Sequence, residues 1–196
     1  LNMHYDMIEF MSDANRTDFG DIIGNAACRD LATVETPIRG YFAGGEGTGL
    51  DSPSHNKNIT IKGFANNSES LNFGELSVLS QRGSGLGSAT RGVFVIGCTI
   101  PAFVNTMEYI TLTTTGETTD FGDTTSATGH SNNNAASNTI RGVYHIGRRT
   151  ADGGAELNTL EFITIATTGN ATDFGDLNYV SRDGVGLSDS HGGLTK

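Results

Sequence analysis

The sequence predicts an all-β protein built from four imperfect copies of one unit of about 50 residues. Composition is the first observation, because 27 glycines, only 3 prolines and many Ser, Thr and Asn residues are typical of short strands joined by tight turns. The other two observations are short motifs that recur along the chain. Since both motifs keep the same period, we expect a single repeat domain over residues 1–196.

The first motif is an Asp/Asn-Phe-Gly-Asp/Glu tetrad, whose phenylalanines are 54, 48 and 53 residues apart. A large apolar side chain that recurs at one register of a repeat is typical of core packing. We therefore interpret these phenylalanines as structural anchors of the repeat. The four anchors are Phe19, Phe73, Phe121 and Phe174.

The second motif is Arg-Gly followed by a strand of aromatic and β-branched residues. It begins at Arg39, Arg91 and Arg141, and a degenerate fourth copy begins at His191. A guanidinium fits a carboxylate with two parallel hydrogen bonds. We therefore expect each arginine to pair with a carboxylate of the neighbouring unit. The alternative is that the arginines hold anionic sugars.

A third segment leads into each tetrad and aligns without gaps in all four copies. Its first half is β-branched and aromatic with near-alternation, which predicts a strand. Its second half, such as Thr168-Gly169-Asn170, predicts a turn. Each unit therefore contains at least two good strands, with one or two weaker strands between the motifs. The copies of this segment are 5–18, 59–72, 107–120 and 160–173.

These features resemble the kelch family of repeats. There are departures, because a Gly-Gly doublet after the strand occurs only once and the chain has no tryptophan. The resemblance implies a β-propeller-like architecture with one blade per unit. The residues that carry it are Gly44-Gly45, Glu108-Tyr109, the anchor Phe121, and Arg82 or Arg182 before the next unit.

A closer resemblance is to kelch-like repeats of structural and tail-fibre proteins from marine bacteriophages, especially cyanophages. It rests on Thr-Arg-Gly-Val-Phe at 90–94 and on the sixteen residues 162–177, and it covers nearly all of the chain. It implies a virion structural or appendage protein, such as a tail fibre, a spike or a capsid-associated protein. The partners implied are other virion proteins, copies of itself and glycans of the host surface, and the implied location is the virion or the extracellular space.

The order of the segments also bears on how the sheets close. The chain starts at the strand of the third segment and stops just after the fourth Arg-Gly position. The C-terminal strand would therefore complete the unit that the N-terminal strands begin, which would hide sheet edges. A compact four-bladed ring, a more open stack of sheets and a ring completed by a neighbouring subunit all satisfy this order.

Charge and hydropathy exclude several classes of partner. The net charge of −10 disfavours nucleic acid and anionic membranes. No apolar run approaches the ~18 residues that a membrane-spanning helix needs. We therefore expect no nucleic-acid partner and no membrane insertion.

The paired carboxylates of the tetrads are the first candidate chemistry. Calcium takes about six to eight oxygen ligands, and two carboxylates per unit are too few without help. We interpret the first Asp of a tetrad as bonding the amides of a tight turn and the second as the partner of a repeat arginine. Calcium is the weaker alternative, with Asp120, Asp123, Asp173 and Asp176 as candidate ligands.

No catalytic constellation is visible in the sequence. The five histidines are dispersed, and neither a Gly-x-Ser-x-Gly elbow nor a Walker loop occurs. We expect a non-enzymatic protein without a cofactor, and an extracellular bacterial carbohydrate-binding or adhesive repeat protein is the alternative. Binding residues are expected in loops that the repeat does not require. The candidates are Asp51, His55, Asn132, Asn133, Arg148 and Arg149.

Overall fold

The computed structural model of the chain describes residues 4–7, 15–22, 25–49, 55–99, 102–129, 134–149, 155–181 and 184–188. Seventeen β-strands and no helix occur in these ranges, so the prediction of an all-β fold is confirmed. The strands are β1 (His4–Met7), β2 (Thr17–Asp21), β3 (Asn25–Arg29), β4 (Ala32–Thr36), β5 (Arg39–Ala43), β6 (Glu46–Gly49), β7 (Asn56–Gly63), β8 (Leu71–Ser80), β9 (Ser84–Gly87), β10 (Arg91–Val95), β11 (Val104–Thr111), β12 (Thr119–Gly129), β13 (Ala135–Ser137), β14 (Arg141–His145), β15 (Arg148–Arg149), β16 (Ala155–Thr164) and β17 (Thr172–Ser181).

Twelve of these strands form three antiparallel meanders of four strands each. The first meander is β4-β5-β7-β8, the second is β9-β10-β11-β12, and the third is β13-β14-β16-β17. The two-residue strand β15 pairs with both β12 and β16 and thereby joins the second meander to the third. Two separate antiparallel pairs complete the described sheets: β1 with β2, and β3 with β6, which flank β4 and β5 in the chain.

The two repeat motifs mark the same two strands in every meander. Each Arg-Gly motif opens the second strand, and each Phe-Gly tetrad lies near the start of the fourth. The first tetrad lies in β2, and in the register of the β1–β2 pair Asp6 lies opposite Asp18. In the second and third meanders the corresponding opposite residues are Glu108 and Asp120, and Glu161 and Asp173. The β1–β2 hairpin is therefore the repeat equivalent of the third and fourth strands of a meander.

One polar side chain shapes the turn before each Arg-Gly motif. Three residues ahead of the arginine, a side-chain oxygen accepts a hydrogen bond from the arginine N–H at 3.1, 3.2 and 2.7 Å. Short polar side chains favour turns because they bond the backbone locally. The acceptors are Thr36, Ser88 and Asn138.

The first strands of successive units lie side by side. β4 lies against β9, and β9 lies against β13. The Gly87 N–H donates to Ser137 Oγ at 3.1 Å, and the Ser137 N–H donates to Ser188 Oγ at 2.8 Å. These strands and the segment 184–188 together line one cavity of about 240 Å³. The first strands of the three meanders therefore converge on one cavity, to which the segment 184–188, outside the named strands, also contributes.

The apolar core lies between successive meanders. One cluster joins the first meander to the second and includes Tyr41 and Phe73, while another joins the second to the third and includes Phe121 and Tyr144. In β10, Phe94 belongs to one cluster and its neighbours Val93 and Val95 to the other. Burial on both faces explains why this strand is a continuous apolar run rather than an alternating one. Across the described residues there is no helix that could cross a membrane.

Candidate assembly interface

Each occupied junction between units brings a Phe-Gly motif against the turn of the next unit. A Cβ at Gly74 would lie 1.9 Å from the carbonyl oxygen of Gly116, and one at Gly122 would lie 2.5 Å from Gly169. The N-terminal hairpin repeats this contact, because a Cβ at Gly20 would lie 2.5 Å from the carbonyl oxygen of Ser68. The glycine of the tetrad therefore permits the close approach of two backbones.

Backbone hydrogen bonds recur at the same junctions. The donor is the backbone N–H three residues before an anchor phenylalanine. The acceptor is the backbone carbonyl two residues after the anchor of the preceding unit, at 2.8 to 3.1 Å. An unpaired amide in such a contact would be costly, so these bonds define the docked register. The pairs are Ser70 with Asp21, Thr118 with Glu75, and Ala171 with Asp123.

A buried carboxylate adds a further contact at two of these junctions. Glu108 accepts hydrogen bonds from the N–H of Ser77 at 3.0 Å and from its hydroxyl. Glu161 accepts from the N–H of Thr125 at 3.2 Å and from its hydroxyl, and also from the Tyr144 hydroxyl. Burial and the Glu161 carboxylate raise the pKa of Tyr144 well above its ordinary value. The sequence analysis did not predict that these carboxylates accept hydrogen bonds at the junctions, although an acidic residue recurs at the equivalent positions 6, 108 and 161.

The four anchor phenylalanines differ in burial. Phe73 is 4% exposed and Phe121 is 2% exposed, as a core position requires. Phe19 is partly buried and lies under the ammonium group of Lys62, which is 4.2 Å from the ring centroid. Phe174 is 52% exposed, which differs from the expectation that all four lie in the core. The reason is that β17 belongs to the last meander, and no described turn covers it as Gly116 and Gly169 cover the other two strands.

The uncovered strand forms an open surface. We call it the Phe174 face, defined as residues 174–178 of β17 with Val143 and Leu187. A cavity of about 620 Å³ lies beside Phe174 and is also lined by Arg141, Val143 and Leu187. Leu187 is 89% exposed, and Tyr179, further along β17, is 72% exposed. Large apolar side chains exposed together in this way mark an interaction surface.

The described contacts at this face lack the features of the occupied junctions. No described atom lies within 4 Å of a Cβ built at Gly175. The residue equivalent to Thr118 and Ala171 is Arg16, and no backbone hydrogen bond between described residues joins its N–H to the Asp176 carbonyl. The Arg16 guanidinium instead pairs with the Asp6 carboxylate of its own hairpin at 2.9 Å. The third meander therefore ends in a repeat junction whose partner is not supplied by the described part of the chain.

The repeat arginines contact different groups from those expected. Arg91 crosses to the next meander, but its Nη1 donates to the backbone carbonyl of Ile165 at 3.1 Å rather than to a carboxylate. Its guanidinium also stacks on Tyr109, 4.3 Å from the ring centroid. Arg141 lies 5.0 Å from the ring centroid of Phe162, and Arg39 is exposed. A carbonyl accepts a hydrogen bond from a guanidinium, and an aromatic face attracts its positive charge, so Arg91 is held without a carboxylate.

The tetrad carboxylates act locally. Asp18 Oδ1 accepts the Gly20 N–H at 2.9 Å, and Asp173 Oδ1 accepts the Gly175 N–H at 3.2 Å. This is the turn bonding expected of the first Asp. Among the described residues, no group of three or more His, Cys, Asp or Glu side chains is placed to hold a metal ion, and this includes Asp120, Asp123 and Asp176.

A polar cluster lies where the β3–β6 pair meets the connection between β8 and β9. Arg29 forms an ion pair with Glu46 at 2.8 Å, and Asp30 lies 3.6 Å from Arg82 Nε. The Arg29 hydrogen bond lowers the pKa of the Glu46 carboxyl. Asp30 and Arg82 both have left-handed backbone conformations, with φ of 63° and 59°. His55 is buried nearby, and desolvation lowers its pKa.

The remaining predicted loop residues do not join this cluster. Arg148 and Arg149 form β15, which pairs with β12 and β16. The candidates Asp51, Asn132 and Asn133 lie outside the described residues.

Comparison with known proteins identifies the fold alone. No protein-family model and no curated protein matches this chain. A solved structure described as "Structure of YjhT" is similar to it, with a TM-score of 0.66, 7% sequence identity, and coverage of 92% of this chain and 61% of that one. The chain therefore spans about three fifths of the length of that protein. In YjhT the similar fold occurs within a longer polypeptide.

Proposed function

We propose that this protein is a non-enzymatic structural or appendage component of a virion, and that its function is assembly with copies of itself or with other virion proteins. The observation that carries the proposal is the Phe174 face, a repeat junction with half-exposed Phe174 and a cavity of about 620 Å³. The resemblance of residues 162–177 to phage structural repeats supports the same conclusion.

The finer architecture belongs to this proposal. We infer that the three meanders are blades of a propeller-like arrangement. Support comes from their side-by-side packing, from the central cavity of about 240 Å³ lined by the first strands, and from the likeness to YjhT. In propeller folds the edge strands are short and neighbouring blades protect them, which prevents uncontrolled strand pairing.

Mass spectrometry of purified particles from the source virus tests the virion assignment. The expected result is peptides of this chain at a constant ratio to the major capsid protein through successive purification steps. Loss of these peptides during purification would contradict the assignment. The protein would then be better described as an extracellular adhesive or carbohydrate-binding repeat protein.

A second function, attachment to host surface glycans, is favoured by the polar loop cluster. Residues held in sparsely populated backbone conformations often occur at binding sites, and Asp30 and Arg82 are two such residues side by side. Charged pairs beside a buried histidine can hydrogen-bond sugar hydroxyls. A glycan array compares the wild-type chain with Arg82→Ala, and Arg39→Ala is the control because Arg39 is exposed outside the cluster. Equal binding by all three proteins would refute a site at this cluster.

A further inference from the structure

We propose that the Phe174 face binds the β1–β2 hairpin of a second copy of this chain, so that molecules join head to tail. The inference rests on the proposed assembly function and names its partner and contact surface. The geometry expected is that of the junctions already formed within the chain. In such a heterologous contact, one molecule uses its Phe174 face and the other its β1–β2 hairpin, so each end of the pair still has one surface for the next molecule.

The occupied junction between the second and third meanders shows what a partner of the Phe174 face must supply. Asn170 Oδ1 accepts a hydrogen bond from the Asp123 N–H at 3.0 Å. Glu161 accepts from the Thr125 N–H at 3.2 Å. A fitting hairpin therefore carries one amide oxygen and one carboxylate at these two positions. On the Phe174 face, the equivalent donors are the N–H groups of Asp176 and Asn178.

The β1–β2 hairpin carries both groups. Asn15 stands at the repeat position of Asn170, and Asp6 stands at that of Glu161, with the same strand register. The segment 15–21 reads Asn-Arg-Thr-Asp-Phe-Gly-Asp, whereas 170–176 reads Asn-Ala-Thr-Asp-Phe-Gly-Asp. The hairpin has therefore kept the chemistry of a docked unit.

The described residues of one molecule do not bring these groups together. Asn15 is exposed, and Asp6 is paired with Arg16 at 2.9 Å. The other side of the hairpin is already held by the first meander, through the Ser70 N–H to the Asp21 carbonyl at 2.9 Å. The side that carries Asn15 is therefore not covered by the described part of the chain.

Charge and fold are consistent with a second copy as the occupant. Arg16 replaces Ala171 of the occupied junction and brings a positive charge toward Asp173 and Asp176 of the acidic strand β17. Opposite charges at matching positions favour this orientation of docking. In addition, the fold of this chain covers only 61% of YjhT, so the same fold accommodates further residues.

Cysteine pairing tests the contact directly. In a background carrying Cys28→Ser and Cys98→Ser, one protein carries Asn15→Cys and another carries Asp176→Cys. We expect a disulfide-linked dimer only when the two proteins are mixed. The control is Asn170→Cys combined with Asp123→Cys in one chain, whose side chain and backbone already meet at 3.0 Å and which should form an intrachain disulfide.

Two results of that experiment would overturn the inference. The first is no dimer in the mixture while the control disulfide forms. The second is an Asn15→Cys/Asp176→Cys double variant that forms only an intrachain disulfide, because the hairpin would then close on its own third meander.

Sedimentation of the chain without cysteine substitutions provides a second readout. Gly175→Ala places a methyl group where the incoming hairpin must lie, and a clash of this kind weakens association by about tenfold or more. Gly63→Ala controls for the added methyl group alone, since its Cβ meets no atom within 4 Å and its backbone lacks the positive φ of Gly175. A wild-type chain that stays monomeric at every concentration, or equal association by both variants, would overturn the inference. Detection of the chain in particles is independent of these results, so failure here leaves the virion assignment to its own test.

Discussion

Substitution of two equivalent glycines separates the effect of the junction from the effect of backbone strain. Gly122 has φ of 137° and Gly175 has φ of 131°, so alanine at either position adopts an unfavourable conformation. That strain costs about 1–2 kcal/mol in both variants. Only Gly122 faces an occupied junction, where the added Cβ would lie 2.5 Å from the backbone of Gly169. Gly122→Ala therefore carries an additional overpacking cost of about 1–3 kcal/mol.

Thermal unfolding of the two variants measures the difference. For a chain of 196 residues, 1 kcal/mol corresponds to about 2–4 °C in Tm, so we expect Gly122→Ala to unfold about 2–12 °C below Gly175→Ala. The protein is kept dilute, so that association does not add to the stability of either variant. Equal melting temperatures would refute the reasoning, because the β17 glycine would then be as enclosed as the β12 glycine.

Three further predictions concern single side chains. Arg91→Ala should lower the free energy of unfolding by about 1–3 kcal/mol, because it removes a charged hydrogen bond to the third meander. Arg39 is exposed, so Arg39→Ala is the control and should change Tm little. A Tm shift under a degree for Arg91→Ala would contradict its role. Tyr144→Phe should cost about 1–3 kcal/mol in guanidinium unfolding, since the Tyr144 hydroxyl donates to the buried Glu161 carboxylate, and an unchanged midpoint would contradict this. Desolvation lowers the pKa of His55 in the folded state, so its contribution to stability is complete above pH 6.5 and is lost as the pH falls below 6.5. His55→Gln should therefore show a smaller fall in Tm than the wild type when the pH is lowered below 6.5. An equal fall in both proteins would contradict the assignment.

Much of the fold could be predicted because the repeat encodes it locally. The turn before each Arg-Gly motif depends on one polar side chain at a constant distance, as at Ser88 before Arg91. The apolar run 93–96 lies at the end of β10 and is buried on both faces, and its β-branched and aromatic composition predicts a strand there. Such features depend on nearby residues and are visible in the sequence.

The exposure of Phe174 could not be predicted, because its tetrad is identical to that of Phe121. Burial of these rings depends on whether a turn from another unit covers them, and the tetrad contains no information on that neighbour. The same limit applies to Arg91, since a guanidinium can also donate to a neutral carbonyl such as that of Ile165, and the motif does not show which acceptor lies within reach. A carboxylate at 6, 108 and 161 was the one available signal for the buried acceptors of the junctions.

Amide hydrogen exchange tests the central claim, which is that the Phe174 face is a repeat junction filled by another molecule. The Asp123 N–H is bonded to Asn170 Oδ1 within the chain. We propose that the equivalent Asp176 N–H gains such a partner in the assembled state. We predict that Asp123 is protected at every protein concentration and that protection of Asp176 rises as the concentration increases. Protection of the Asp176 N–H at every concentration would contradict the claim, because the junction would then be closed within one molecule. Lack of protection at every concentration would also contradict it, because no second copy would then bind this face.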